Sequence, residues 1–337
     1  MHEKQFIKGI AMKLSHRRQF LHLAAGAAAF PAVSHVAWAQ TYPTRPVRWI
    51  VGFAAGGGTD IVARLTGQWL SDRLGQQFII ENRPGAGNNI GTEAVVNAAA
   101  DGYTILLANV SNAINAALYE KLKFNFIRDI APVAGIITVP ATIVLHPSVP
   151  AKTVPEFIAY AKANPGKITM ASSGIGGASH LAGELFKMMT GVNLVHIPYR
   201  GNGPALTDLL GGQVEVMFVS TPSSIEYIRS GKLRALAVTT ATRFPMLPEI
   251  PTVDEFVPDY EASSWYGVGA PRGTPAAVIA KLNQEINAAL SDPRIQARLA
   301  DLGGIPVGGS PADFGKLIAD ETEKWAKVVK LSGAKAE

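Results

Sequence analysis

Cysteine is absent from all 337 residues. That excludes disulfides, thiolate metal sites, cysteine nucleophiles and iron–sulfur clusters. Histidine is scarce, and His2, His16, His22 and His35 lie close to the start. Only His146, His180 and His196 remain in the body, thin material for a metal centre. A basic stripe is missing too. Of 31 basic and 26 acidic residues, five (Lys4, Lys8, Lys13, Arg17, Arg18) and one (Glu3) fall in the first 39. The remainder holds 26 and 25, close to neutral, which speaks against nucleic acid as a partner. No G-x-x-x-x-G-K-[ST] loop and no G-x-S-x-G elbow occurs. Beyond residue 39 no run of eighteen apolar residues appears, so the mature chain is expected to be soluble.

What is present begins with an export pattern. Arg17-Arg18-Gln19-Phe20-Leu21 is a charged segment of twin-arginine type. An alanine-rich stretch follows, and Ala37-Trp38-Ala39 reads as a cleavage site. Residues 1–39 are thus expected to be a removed signal, with Met12 a possible true start. The expected location is the periplasm.

With 47% apolar residues the chain can build a large core. The body repeats one plan. A strand (Val47–Phe53) leads through Ala54-Ala55-Gly56-Gly57-Gly58-Thr59 into a helix from about Asp60 to Leu74. Val62, Leu65 and Trp69 fall on one face of that helix, and Gly75 stops it. Strand, turn, helix and strand follow to Ala108. The second copy starts with Lys167–Ala171, a turn Ser172–Ser179 and a helix His180–Thr190, and runs on to Val219. Helices between strands predict parallel pairing, hence two α/β lobes. Apolar strands at Thr142–His146 and Trp265–Ala270 predict two crossings between lobes. The tail after Pro275 reads as three helices with no clear strand, packed back on the first lobe. The expected organisation is 40–143 plus 263–337 for lobe 1 and 144–262 for lobe 2, with a cleft between them.

Each lobe carries a glycine-rich turn entering a helix at the end of a first parallel strand. Such turns present free backbone N–H groups and a positive helix end, and so suit anions. Alternatively the glycines serve only tight packing. Gly85-Ala86-Gly87-Asn88-Asn89-Ile90-Gly91 superficially resembles a dinucleotide fingerprint, but it follows a second strand and lacks the acidic residue further on. Asp60 and Arg64, four apart, read as a helix-surface pair. His180 reads as a capping or pocket-wall residue, and His196 as a hydrogen-bonded core or rim residue. Arg200 is the best single partner for a carboxylate, or it faces solvent.

Gly56-Gly57 with Asp60 and Ala63-Arg64, Glu81-Asn82-Arg83-Pro84-Gly85-Ala86-Gly87 and Asp101-Gly102-Tyr103-Thr104-Ile105-Leu106 carry a family resemblance. So do His180-Leu181, Pro198-Tyr199-Arg200-Gly201, Pro204-Ala205-Leu206, Asp208-Leu209-Leu210-Gly211-Gly212, Pro251-Thr252-Val253 and Gly269-Ala270-Pro271. Across residues 42–331 the chain resembles the tripartite tricarboxylate transporter receptors, the Bug-type solute-binding proteins. The resemblance implies a two-lobed α/β fold of the type II periplasmic binding kind, each lobe a mostly parallel sheet flanked by helices, hinged by two crossover strands. It implies a monomeric receptor without catalytic activity or cofactor. It would hold a small organic carboxylate and deliver it to membrane transporter subunits. Carried over to matched loops, the ligand contacts would be Phe53, Ala54, Ala55, Gly56, Gly57, Thr59 and Asp60 in lobe 1. In lobe 2 they would be Ser173, Gly174, Gly177, Ser179, His180, Tyr199, Arg200, Gly201, Ser220 and Thr221. Ala54-Ala55 and Asn88 depart from the usual pattern, so ligand identity does not transfer. The rival functions are an exported enzyme on an organic acid, with His180 its only reasonable base, and a sensory ligand-binding subunit.

Overall fold

The computed structural model describes residues 42–199 and 201–336. The expected leader, its cleavage site and Arg200 lie outside the described residues. Among those described, no helix is long and apolar enough to cross a membrane.

Strand β1 (Val47–Val51) leads by a loop to helix α1 (Gly58–Leu74). Gly75 ends α1 in the left-handed region, its N–H bonded to Ser71, as the glycine stop predicts. Strand β2 (Phe78–Asn82) passes through a 3₁₀ turn (Ala86–Asn88) into α2 (Asn89–Val96). Strand β3 (Thr104–Asn109) runs directly into α3 (Val110–Leu118), and a short α4 (Phe126–Asp129) precedes β4 (Ile130–Val139). Pro140 alone separates β4 from β5 (Ala141–Leu145). Then come α5 (Val154–Ala163), β6 (Ile168–Ser172), α6 (Ala178–Thr190), β7 (Leu194–Pro198) and α7 (Asn202–Leu210). Strand β8 (Val216–Ser220), α8 (Thr221–Arg229) and β9 (Arg234–Val238) complete that part. The chain ends with β10 (Ser264–Pro271), α9 (Ala276–Ser291), α10 (Pro293–Asp301), β11 (Ile305–Gly308) and α11 (Pro311–Ser332).

Two sheets result, with strand orders β11-β4-β10-β3-β1-β2 and β7-β6-β8-β5-β9. The class is mixed α/β, as the sequence predicts. Between strands, parallel pairing is confined to β2-β1-β3 and β7-β6-β8, the strands joined through helices, with one isolated parallel bridge from Val238 of β9 to Thr252. The remaining pairs are antiparallel. The reason is connectivity. Strands β5 and β10 arrive from the other sheet, so no helical crossover forces them parallel. The tail also differs from the three-helix expectation, since β11 adds to the sheet beside β4. Four residues with a proline and a glycine give little strand signal, and an edge position tolerates Pro306.

The two crossings touch. Ala141 N–H donates to Thr239 Oγ1 at 3.0 Å, and Thr239 N–H donates to the Ala141 carbonyl at 2.9 Å. The last helix, α11, packs against α3 and β4 and also against α6, so it spans both sheets. Its Phe314 ring lies edge-on to Trp265 at 5.5 Å and fills the space over Gly267. A Cβ at Gly267 would come within 2.2 Å of that ring, so the site has no room for a side chain.

Candidate functional site

The first glycine turn is held by one carboxylate. Asp60 Oδ2 accepts from Gly56 N–H at 2.8 Å and from Arg64 Nε at 2.9 Å; Oδ1 accepts from Asn82 Nδ2 at 3.0 Å. Asn82 Nδ2 also donates to the Phe53 carbonyl at 2.9 Å. The expected surface pair is therefore corrected: Arg64 is half exposed, but Asp60 is buried at 2% and ties the loop to β2. Burial pushes its carboxyl up. The hydrogen bonds from Arg64, Gly56 and Asn82 and the Arg64 charge outweigh that, and it sits below the usual carboxylate range. With Asp60 turned inward, the loop shows its backbone. Ala54, Ala55, Gly56 and Gly57 are exposed, Phe53 is partly so, and Thr59 is buried on α1. Gly57 caps α1 without any side-chain hydrogen bond.

The second turn is tied by hydroxyls and an imidazole. Ser179 Oγ accepts from Ser173 N–H at 2.8 Å and lies 2.9 Å from Ser173 Oγ. His180 Nδ1 accepts from Gly176 N–H at 3.0 Å. A donor at Nδ1 puts the ring proton on Nε2, which lies 3.6 Å from Glu184 Oε1. Neither nitrogen is open to act as a general base. The His180 ring stacks on His196 at 3.8 Å, and His196 Nε2 lies 2.6 Å from Ser172 Oγ. Burial, then the neighbouring His180, pushes His196 down to about 4. Gly176 shows why this turn needs glycine. Its φ is +71°, and a Cβ there would meet Leu118 of α3 at 2.0 Å. The loop of one sheet thus touches a helix of the other. Gly177 caps α6, again without a side-chain bond, and Gly174 accepts from Ser172 Oγ.

The remaining predicted residues divide. Tyr199 N–H donates to the Ser172 carbonyl and Gly201 N–H to the Ser173 carbonyl, which brings this loop against the second turn. The Tyr199 hydroxyl donates to Asp208 Oδ2 at 2.7 Å and is pushed up to about 12 by burial and then by that carboxylate. Gly201 caps α7 and Ser220 caps α8, both without a side-chain cap bond. Ser220 Oγ lies 2.8 Å from Ser223 Oγ. Thr221 is fully buried. Its hydroxyl and N–H both donate to the Pro140 carbonyl, at 3.0 and 2.9 Å, so it clamps a crossing instead of opening to the cleft.

Helix starts separate into two kinds. Away from the glycine turns, α4, α5, α10 and α11 begin with Asn125, Thr153, Asp292 and Ser310 as side-chain caps. Helices α1, α2, α6, α7, α8 and α9 have none. At α1 and α6, which the two glycine turns enter, the first N–H groups are the anion-binding kind.

A buried asparagine cluster lies beside the first turn and escaped sequence reasoning. Asn88 Nδ2 donates to Asn112 Oδ1 at 3.0 Å, and Asn112 Nδ2 donates to Thr92 Oγ1 at 2.7 Å. Asn115 Nδ2 donates to Asn89 Oδ1 at 2.9 Å. Asn88 has φ +84° and lies over Gly52, where a Cβ would be 1.5 Å from its Oδ1. The only signal was the spacing of Asn109, Asn112 and Asn115 at a helix start.

Known proteins are similar to this chain in sequence and fold. The family model described as "Tripartite tricarboxylate transporter family receptor" matches residues 62–334. Protein BugT of Bordetella pertussis is 41% identical, over 88% of this chain and 92% of that protein. A solved Rhodopseudomonas palustris protein with adipate superposes with TM-score 0.81 at 39% identity, covering 87% of this chain and 99% of that one. MatC from Rhodopseudomonas palustris, with bound malate, gives TM-score 0.77 at 33% identity, covering 86% and 100%.

Proposed function

Because this chain belongs to the tripartite tricarboxylate transporter receptor family, we propose that it captures a small organic carboxylate and passes it to the membrane subunits of such a transporter. It is a binding protein and not an enzyme. The observation that carries the reading is the pair of glycine-capped helix starts, on α1 and α6, in loops tied in place by Asp60 and His180. Free N–H groups at a helix start hold a carboxylate without a charged side chain. The adipate and malate bound by the two Rhodopseudomonas proteins support that ligand class.

The touching crossings at Pro140–Ala141 and Thr239 support a hinge between lobes 40–143 plus 263–337 and 144–262. The lobes close on the acid, and the closed face is what the transporter reads. The protein works in the periplasm as a monomer, exported by a twin-arginine-like signal cleaved after Ala39. Arg200, beside Tyr199 and Gly201, adds a charged partner for the ligand.

Thermal unfolding against mono-, di- and tricarboxylates tests this. An acid at about 100 times its dissociation constant stabilises by roughly 2.7 kcal/mol. That raises the midpoint by several degrees or more in a chain of this size. The acid should be recovered unchanged. No shift with any acid, or conversion of the acid, contradicts the reading.

A further inference from the structure

Asn109 ends β3 and caps α3. Its Oδ1 accepts from Ser111 N–H at 2.9 Å, and its own N–H donates to Asn112 Oδ1 at 2.9 Å. Its Nδ2 is buried with no hydrogen-bond partner, and the residue is only 2% exposed. A buried amide donor left unpaired forfeits its hydration without compensation, so a place that keeps one needs a reason.

Strand alternation gives the direction of this side chain. Ile105 and Leu107 face the core that holds Trp49, Val51 and Val62, under α1; Leu106 and Ala108 face the other core. Asn109 takes the next α1-facing position. Directly opposite in register stands Tyr266 of β10, which packs on the same core. Cross-strand partners share a face. The Tyr266 hydroxyl lies 3.5 Å from where a Cβ would sit on Gly58, the first residue of α1. Burial pushes that hydroxyl up to about 12, against a smaller downward pull from the Ser264 hydroxyl beside it, so it keeps its proton and has it to donate. An unpaired amide, a phenol and the uncapped start of α1 therefore meet at the ends of β1, β3 and β10.

Resting on the receptor reading above, we propose that Asn109 and Tyr266 are ligand-binding residues that hold one carboxylate of the organic acid together with the first N–H groups of α1. All three are uncharged donors, so what they recognise is an oxygen that only accepts. Arg64, the cation nearest the start of α1, is already bonded to Asp60 and Asn82. A ligand oxygen at this place satisfies the Asn109 amide and explains why the helix start carries glycine instead of a capping side chain.

Asn109→Asp and Tyr266→Phe test the proposal. Aspartate keeps the oxygen that caps Ser111 but replaces the donor with a negative acceptor; phenylalanine keeps the ring and removes the hydroxyl. Succinate, malate, glutarate, adipate and citrate are titrated calorimetrically into wild type and each variant, and ligand-free unfolding midpoints are recorded. The expected result is binding of at least one acid by wild type. Each variant should then bind that acid about tenfold or more weakly, while its ligand-free midpoint stays near the wild-type value. If Asn109→Asp does not fold, Tyr266→Phe decides. Wild-type affinity in either folded variant overturns the pair and leaves the receptor reading standing. Binding of none of the acids by wild type overturns both.

Discussion

At the residue scale, Asp60 does the most for the first turn. It collects a backbone N–H from the turn itself, a guanidinium from α1 and an amide from the end of β2, and so ties the turn to both elements. Asp60→Asn keeps the shape but loses the charge. It should cost about 1–3 kcal/mol in denaturant unfolding, as for hydrogen bonds to a charged group. The pH dependence has a definite sign. The folded carboxyl is held below its unfolded value, so its contribution is complete above about pH 4 and is lost as pH falls through the lower folded value. The variant should show a flatter acid limb; an unchanged limb would remove Asp60 from this role. Gly176→Ala faces both a left-handed backbone and Leu118. A loss of about 1–2 kcal/mol is expected from the backbone alone. Wild-type stability would show that the turn relaxes freely.

At the element scale, β7 and α6 meet through the stacked His180 and His196. His196 is faced by His180, Glu184, Lys187 and Ser172. Its folded value of about 4 lies below the unfolded value of about 6.5. Stability should therefore fall as pH drops from about 6.5 to about 4, because the unfolded chain takes up the proton first. His196→Gln should remove that slope in urea titrations run across the window; retention of the slope would assign it to another group. The helices of this region were legible in the sequence because their signals are local: apolar spacing along α1 and α6, and the glycine stops Gly75 and Gly191, both left-handed. Strands β4, β5, β9 and β10 pair with distant segments, so their antiparallel directions left no local trace. Strand β11 was missed because Pro306 and Gly308 mask four residues that only an edge can use. The glycine turns were legible for the same local reason as the helices. The burial of Asp60 and Asn109 left no such trace, since burial of a polar group is decided by what folds over it.

At the scale of the whole molecule, two sheets, two touching crossings and a terminal helix spanning both make one device. Thr221 anchors α8 to Pro140 and Thr239 anchors the return path to Ala141, so under the proposed hinge reading a motion of one sheet against the other would pass through these two short segments. Closure should lower the radius of gyration in solution scattering when a bound acid is added, and an unchanged radius would argue for a rigid cleft. The central claim is that one acid is gripped by both glycine turns at once, through backbone amides. Amide chemical-shift mapping with the acid found in the unfolding screen tests it most directly. The account predicts that the N–H signals of Gly57–Asp60 and of Gly177–Ser179 shift together and saturate at one dissociation constant. Shifts confined to one turn, or to neither, would contradict it.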